Sequence, residues 1–384
     1  MKQYIGLGLA VLSSTSLAMA DLHDVTVGGT FLGGGVGILQ ENRESQTGKR
    51  QQFDFAANID IDVKIDEEWS AFMQLQASPG AGALGFPGPE SALTDVNITY
   101  DPQARNYAVV MGSFDMPFGQ SVATLTNNAD SFANDYITND LLYSMFAGPV
   151  GTLNTIGGMY THSFSKGDLT VALTNGTDES SQNDDGGFAV LVGASTGDLL
   201  EYATIGASIL SSSETYQQDP GVLDDGVATI ANFNSHFTGY IVDFDWKMSD
   251  KVSMAYYAAL LSYDDQNATT KDDVMAWMAK FRVETSKTAY VAFRVSGWSP
   301  EDNDGSGTGI SNALVGKTPG FATLQNGVFP VADQQVIRFD VVYGVAMNEH
   351  VTLKAQVFMD DYQKETQTDN TDVLGALAVA NVRF

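Results

Sequence analysis

Apolar and polar residues alternate along the stretch from Phe53 to Lys64, which reads FDFAANIDIDVK. Every odd position in it is apolar, whereas Asp54, Asp60, Asp62 and Lys64 all occupy even positions. Successive side chains of a β-strand point to opposite faces of the sheet. The stretch therefore predicts a strand with one apolar face and one charged face.

Alternating segments of this kind recur to the end of the chain, separated by gaps that are alternately short and long. The short gaps are polar and include 66–68, 101–104, 165–168, 248–250, 285–287 and 347–350. The longer gaps fall near 41–50, 78–90, 115–150, 177–185, 212–233, 265–271, 299–334 and 363–371. Short turns on one side and long loops on the other are typical of an up-and-down β-barrel.

The pattern predicts an all-β fold, a transmembrane up-and-down antiparallel β-barrel of sixteen strands. The predicted strands lie near 24–40, 51–64, 69–77, 91–101, 105–114, 152–165, 168–176, 186–196, 201–211, 235–247, 251–264, 272–284, 287–298, 335–346, 350–362 and 372–384. A hairpin hidden in the loop 115–150 or in the loop 299–334 would raise the count to eighteen. A soluble β-sandwich also alternates, but it does not explain the regular long and short gaps.

The late strands fix which face is turned outward, because one row in each of them carries no charge. These rows are Met275, Trp277, Ala279, Phe281; Val291, Phe293, Val295; Ile337, Phe339, Val341, Tyr343; and Leu353, Ala355, Val357. A slip of one residue would place Lys280, Arg282, Arg294, Arg338 and Lys354 in lipid instead. Each such charge costs up to about 2–4 kcal/mol at the bilayer midplane.

The two chain ends agree with export to a membrane. Residues 1–20 have the three parts of a secretory signal peptide: Lys2, an apolar region over 5–17, and the small residues Ala18 and Ala20. A single barrel domain is therefore expected over residues 21–384.

The last strand ends in Phe384, on an apolar row, and this terminal aromatic resembles the signal by which outer-membrane barrels are recognised for assembly. We expect the Gram-negative outer membrane as the location, reached through the periplasm.

Composition argues against several kinds of site. The chain has 19 basic and 47 acidic residues, a formal charge of −28, so nucleic acid is not an expected partner. The four histidines are scattered without ligand spacing, and no nucleophile elbow occurs, so neither an enzyme nor a cofactor is expected. His162, inward under one register, is the one remote candidate for an outer-membrane hydrolase that pairs it with a nearby serine. A position lining a channel is the favoured interpretation of His162.

One loop stretch is a weak candidate for a calcium site. Asp302, Asp304 and Ser306 have the spacing of the first ligands of an EF-hand loop, with Gly307 at the sixth position. Position 12 is Ala313, where an EF-hand has a bidentate glutamate. A plain solvated turn is the alternative interpretation.

The strongest motif opens the third long loop. Gly112, Phe114, Pro117 and Phe118 form a Gly-x-Phe-x-x-Pro-Phe pattern. Here the chain resembles the general porin superfamily of Gram-negative outer membranes, and more narrowly its phosphate-selective porin O/P-like group. The resemblance implies that this loop folds into the pore and constricts it. The constriction residues would be Asp115, Pro117, Phe118, Asp130, Asp135 and Asp140.

The loop departs from its phosphate-selective relatives in charge. No lysine or arginine occurs from 106 to 165, although a desolvated phosphate needs charge-assisted donors. The basic residues expected on the pore wall lie elsewhere: Lys280, Arg282, Arg294, Arg338 and Lys354. They either face the acidic loop across the pore and create a transverse field, or they pair with inward acids such as Asp340 and Asp360.

The resemblance implies a water-filled channel for passive diffusion of ions and small hydrophilic solutes, and the acidic excess predicts a mild cation preference. A porin specific for phosphate or another small anion is one alternative. A plugged structural or adhesive barrel is another, since the alternation predicts that Tyr257, Tyr290 and Trp298 point inward. The expected partners are outer-membrane lipid and lipopolysaccharide, the barrel-assembly machinery, the solutes themselves and, by resemblance, two further copies in a homotrimer.

Overall fold

Sixteen antiparallel strands form one sheet that closes into a barrel, because β1 pairs with β16 as well as with β2. The computed structural model describes residues 24–41, 50–77, 92–102, 104–119, 136, 154–175, 188–197, 202–217, 232–265, 270–302, 334–364 and 371–384. The predicted signal peptide lies outside these residues. Within the described ranges, no helix is long and apolar enough to span a membrane.

The strands follow one another around the barrel in sequence order. Their bounds are β1 Asp24–Glu41, β2 Arg50–Lys64, β3 Trp69–Ala77, β4 Ala92–Tyr100, β5 Tyr107–Asp115, β6 Asn154–Phe164, β7 Gly167–Thr174, β8 Phe188–Thr196, β9 Ala203–Gln217, β10 Asn232–Ser249, β11 Val252–Asp265, β12 Thr270–Glu284, β13 Ala289–Asp302, β14 Gln334–Ala346, β15 Val351–Lys364 and β16 Thr371–Arg383.

The predicted strand count and topology are confirmed. The wall closes with sixteen strands, so it holds no place for the two further strands of the eighteen-strand alternative, and its single sheet excludes a two-sheet sandwich. The largest boundary difference is at β9, which was predicted to end near 211 and continues to Gln217. Residues 211–217 have no apolar alternation, but they pair with the first residues of β10.

The predicted register of the late strands is also confirmed. On β12 to β15 the outward row is exposed or half-exposed, as at Phe293, Phe339 and Val357, and the inward row is buried at mid-barrel. Large apolar side chains thus cover the outside of the barrel, the face that meets lipid in a membrane barrel. The stretch from Phe53 to Lys64 on β2 shows the same alternation, since Ile59 is exposed on the outside and Asn58 is buried on the inside.

Aromatic rings form a chain on the outer face of β3 to β6, close to the short turns. Ring centroids lie 4.7 Å apart for Trp69 and Tyr100, 6.2 Å for Tyr100 and Tyr107, and 5.8 Å for Tyr107 and Tyr160. His162 continues the chain, and its Nδ1 lies 3.1 Å from the Tyr160 hydroxyl oxygen. Amphipathic rings of this kind favour the membrane–water interface.

The inward interpretation of His162 was therefore wrong. His162 is opposite Tyr107 in the β5–β6 ladder and lies on the same outward row as the exposed Tyr160 and Phe164. The two glycines Gly157 and Gly158 obscured the alternation of β6, because glycine shows no preference for either face. A hydrolase site that uses His162 from inside the barrel is excluded by this position.

The last residue completes the closure. Phe384 exchanges two backbone hydrogen bonds of 3.0 Å with Gly29 of β1, N–H to carbonyl in both directions. Its side chain is exposed on the outer face. The position is compatible with the predicted role of Phe384 in assembly, which stays a prediction.

Candidate functional site: the barrel interior

Two ion pairs lie on the inner face of β13, β14 and β15. Arg294 faces Asp340 across the β13–β14 ladder, with Nε 2.8 Å from Oδ2. Arg338 faces Asp360 across β14 and β15, and its Nε and Nη2 each donate to one carboxylate oxygen at 2.7 Å. All four side chains are buried.

A glutamine completes this network. Gln356 on β15 donates from Nε2 to Asp340 Oδ1 at 2.6 Å, so both oxygens of Asp340 accept a hydrogen bond. The arrangement follows from alternation, which places these residues on even positions, and from the register, which sets the charged partners directly opposite each other. For Arg294 and Arg338 the geometry is that of the pairing interpretation, since each positive charge is matched by a carboxylate in contact with it.

The other residues predicted for the basic wall differ from one another. Lys280 and Arg282 are partly exposed and lie toward the short turns, whereas Lys354 is buried on β15. Arg282 donates to Glu284 Oε1 from Nη2 at 2.6 Å, and its guanidinium lies 4.0 Å from the centroid of the Tyr290 ring. Among the described basic residues of this wall, Lys280 and Arg282 are therefore the ones that reach solvent.

Aromatic side chains fill the inner surface beside the ion pairs. Tyr257, Tyr290 and Trp298 point inward, as predicted, and all three are buried. The ring of Phe358 lies directly over Gly375 on β16, where a Cβ atom would collide with it. This part of the interior is packed with side chains. The plugged barrel named as an alternative stays a prediction.

The third long loop begins by turning onto the inner wall. Met116 and Phe118 are buried, and the Thr174 hydroxyl of β7 lies 3.8 Å from the Met116 sulfur. Gly119 donates its N–H to Ser208 Oγ of β9 at 3.2 Å. Its φ of +94° favours glycine, and a Cβ there would lie 3.3 Å from an Asp243 carboxylate oxygen of β10. Residues 116–119 therefore lie inside the barrel, against β7 to β10.

Tyr136, the one described residue between 120 and 153, lies on a different part of the wall. Its ring is 4.2 Å from the Arg294 guanidinium and is buried in a cluster with Tyr290, Ala292 and Val342. These residues belong to β13 and β14, eight strands away from β5 and β6 in a ring of sixteen. Tyr136 thus lies across the lumen from the strands that the loop connects.

Several predicted site residues lie outside the described structure. Asp130, Asp135, Asp140, Asp304 and Ser306 are outside the described residues, as are the side chains of Asp115 and Asp302. Pro117 and Phe118 are described, and both lie on the inner wall segment of the loop. Within the described ranges, no group of three or more histidine, aspartate or glutamate side chains could hold a metal ion.

The sequence did not point to Tyr136, Ser208 or Asp243. Tyr136 lies in a loop, where no periodic pattern assigns a direction to a side chain. Ser208 and Asp243 lie on inward rows, and only the tertiary position of residues 116–119 distinguishes them from other polar residues there. A glycine after Pro117-Phe118 was the available signal for the turn at 119.

Comparisons with known proteins bear on the fold. No protein-family model and no curated protein matches the chain. Similar solved structures include the outer membrane channel DcaP of Acinetobacter baumannii, with 12% identity over 94% of this chain and 97% of that one, at a TM-score of 0.60. An anion-selective porin from Comamonas acidovorans has 7% identity over 94% and 99%, at 0.63.

A trimer form of OmpT, an outer membrane protein of Vibrio cholerae, is similar as well, with 10% identity over 95% of this chain and all of that one, at a TM-score of 0.60. Structural similarity at such low sequence identity establishes the fold alone. The chain therefore has the closed β-barrel fold of outer-membrane channel proteins, in agreement with the location expected from its sequence.

Proposed function

We propose that this protein is a porin, a diffusion channel that passes ions and small hydrophilic solutes across the outer membrane. The observation that carries the proposal is the closed sixteen-stranded barrel, apolar outside, whose inner wall keeps polar side chains such as Asp60 and Asn97 partly exposed. A barrel of about this strand number encloses more space than its own side chains fill. The similar structures of the outer membrane channel DcaP and of the anion-selective porin support the same function.

The third loop is proposed to narrow this channel. Residues 116–119 against β7 to β10, together with Tyr136 against β13 and β14, support a path of the loop inside the lumen. On that path Asp115, Asp130, Asp135 and Asp140 would add negative charge near the constriction, without a lysine or arginine of the loop to offset it.

A mild cation preference follows from these charges. Arg294 and Arg338 are each matched by a carboxylate, so they contribute little net positive potential to the lumen. The acidic residues of the third loop and of the inward row of β2 then influence mobile ions more strongly than these two arginines do. An anion-selective porin has a similar fold, but selectivity depends on side chains that a likeness of 7% identity does not carry over.

A phosphate-specific channel is disfavoured by the same paired arginines, since phosphate binding needs donors that are available to the solute. A plugged structural barrel is favoured by one observation, the packed aromatic interior around Tyr257, Trp298 and Phe358. Conductance separates this function from a channel, because a plugged barrel passes no current. Saturable block of the current by phosphate would instead indicate the specific channel.

The protein is proposed to assemble as a homotrimer in the outer membrane, in contact with lipid and lipopolysaccharide. The barrel-assembly machinery is proposed to insert it there. The similar trimer form of OmpT supports the trimer. The exposed Phe384 at the barrel seam supports the assembly step. Chemical crosslinking of the protein in outer-membrane fragments tests the trimer, and a ladder that stops at the monomer would contradict it.

The proposed function is tested by inserting the folded protein into a planar lipid bilayer. We expect discrete current steps that are ohmic at low voltage, and none from a heat-unfolded sample. A folded and inserted protein that carries no current would contradict the proposal.

A further inference from the structure

The inner wall of the barrel is unequally exposed. From β7 to β16, the described inward side chains at mid-barrel are buried, apolar and polar alike. Leu191, Leu210 and Ile241 represent the apolar ones, and Gln356 and Asp360 the polar ones. The partly exposed inward residues of these strands, Lys280 and Arg282 among them, lie toward the short turns. Little room for a solute therefore remains at mid-barrel along this part of the wall.

The wall formed by β2, β3 and β4 is different. Of its inward residues, Asn58 on β2 is buried and Phe72 on β3 is partly exposed. Asp60, Gln74, Asp95, Asn97 and Thr99 are also partly exposed, although they lie within the strands. These side chains are polar or acidic, and water reaches them inside the barrel.

The register brings three of these residues into one row. Asp60 faces Gln74 across β2 and β3, and Gln74 faces Asp95 across β3 and β4. Neighbouring strands are about 4.8 Å apart, so the backbones that carry the two aspartates are separated by about 10 Å. Gln74 donates from Nε2 to Asp60 Oδ1 at 2.9 Å, which orients that carboxylate.

We propose that the solute path runs along β2 to β4 and that Asp60 and Asp95 set its cation preference. The inference rests on the proposed function as a channel and names the residues that select the ions. Two carboxylates about 10 Å apart lie within about one Debye length at 0.1 M salt, so their potentials add in the space beside Gln74. Arg294 and Arg338 are buried and each is matched by a carboxylate, so they oppose this potential weakly.

Other charges near the row change the potential less. Asp62 and Lys64 follow Asp60 on the inward row of β2 toward the short turn, where both are exposed and carry opposite charges. Lys280 and Arg282 reach solvent on the far side, and Arg282 is paired with Glu284. The row of Asp60, Gln74 and Asp95 is thus the acidic part of the path.

The position of the path is tested by cysteine labelling, since the chain contains no cysteine of its own. Asn97→Cys places a thiol on the proposed path, and Ser212→Cys places one on the buried inward row of β9. We expect a charged, water-soluble thiol reagent to lower the current through Asn97→Cys and to leave Ser212→Cys unchanged. Equal reaction of the two variants, or reaction of Ser212→Cys alone, would overturn the path.

Selectivity is tested by the reversal potential in a potassium chloride gradient. Each of Asp60→Asn and Asp95→Asn should lower the permeability ratio of potassium to chloride by about twofold, and the effect should shrink at 1 M salt. Glu349→Gln, in an exposed short turn, is the matched control and should leave the ratio unchanged. Asn97→Lys should shift the ratio toward chloride.

The outcomes separate the two proposals. A wild-type protein that inserts without conducting contradicts the channel itself. A wild-type protein that conducts, with Asp60→Asn and Asp95→Asn indistinguishable from Glu349→Gln, overturns the role of the two aspartates and leaves the channel standing. A heat-dependent shift of gel mobility confirms that each variant is folded before its current is compared.

Discussion

Arg338 and Asp360 face each other inside the barrel, joined by two hydrogen bonds of 2.7 Å, and both side chains are buried. Removing one partner of a buried pair leaves the other charge uncompensated. We therefore expect Asp360→Asn to lower the free energy of unfolding by about 3–5 kcal/mol. The midpoint of urea unfolding in detergent or lipid vesicles, followed by tryptophan fluorescence, measures the change.

The control for this prediction is an exposed pair in a short turn. Lys247 and Asp250 lie 3.4 Å apart with side chains 60% and 98% exposed, so Asp250→Asn should change stability by less than about 1 kcal/mol. The double variant Arg338→Met with Asp360→Leu removes both charges and should recover most of the loss. Equal stability of Asp360→Asn and Asp250→Asn would show that the buried pair is not structurally important.

Phe358 and Gly375 form a second inner contact between neighbouring strands. The ring covers the glycine so closely that Gly375→Ala must displace it, at a cost of about 1–3 kcal/mol in unfolding free energy. Phe358→Ala leaves a cavity and should cost about 3–5 kcal/mol. Because both changes act on one contact, the double variant should cost less than the sum of the two. Strict additivity would mean that the ring and the glycine do not interact.

Gly197 provides the matched control for the alanine substitution. It lies in a short turn, and a Cβ there would come no closer than 3.7 Å to its neighbours. Gly197→Ala should therefore leave the unfolding midpoint almost unchanged.

Val341 tests which face meets lipid. Its side chain is exposed on the outer row of β14, so Val341→Arg should destabilise the protein in a bilayer by up to about 2–4 kcal/mol. Asn97→Arg, on the inward row, places the same charge in water and should cost less than about 1 kcal/mol. Unfolding midpoints in lipid vesicles compare the two, and a larger cost at Asn97 would reverse the assignment of faces.

Tyr136 tests the proposed inward path of the third loop. Its ring lies over Arg294 and packs against Tyr290 and Val342, so Tyr136→Ala removes the contact that holds this part of the loop at the wall. We expect a change in single-channel conductance and more current fluctuations, with Tyr136→Phe close to wild type because the ring is kept. Tyr202→Ala, at a side chain 61% exposed, is the control. Unchanged current in Tyr136→Ala would contradict the inward path.

The barrel was predictable from sequence where charges mark one face of a strand. Arg294, Arg338 and Lys354 fixed the inward row, because each would be costly in lipid, and the outward rows followed. The face of β6 was not predictable in this way, since Gly157 and Gly158 carry no such information. The prediction that His162 points inward was wrong for that reason.

The interior was predictable only in part. Asp340 and Asp360 were named as partners for the inward basic residues. The direct pairing of Arg294 with Asp340, however, depends on the register between β13 and β14, because the two residues are 46 positions apart in the sequence. The position of Tyr136 was not predictable, because loops have no period. The unequal exposure of the inner wall depends on which side chains and loop residues fill the lumen, and no single strand contains that information.

The measurement that tests the proposed function most directly is single-channel recording of the folded wild-type protein in a planar bilayer under a potassium chloride gradient. The proposed function predicts discrete current steps with a reversal potential displaced toward that of potassium. Complete absence of current from inserted, folded protein would contradict the channel. A reversal potential displaced toward that of chloride would contradict its cation preference.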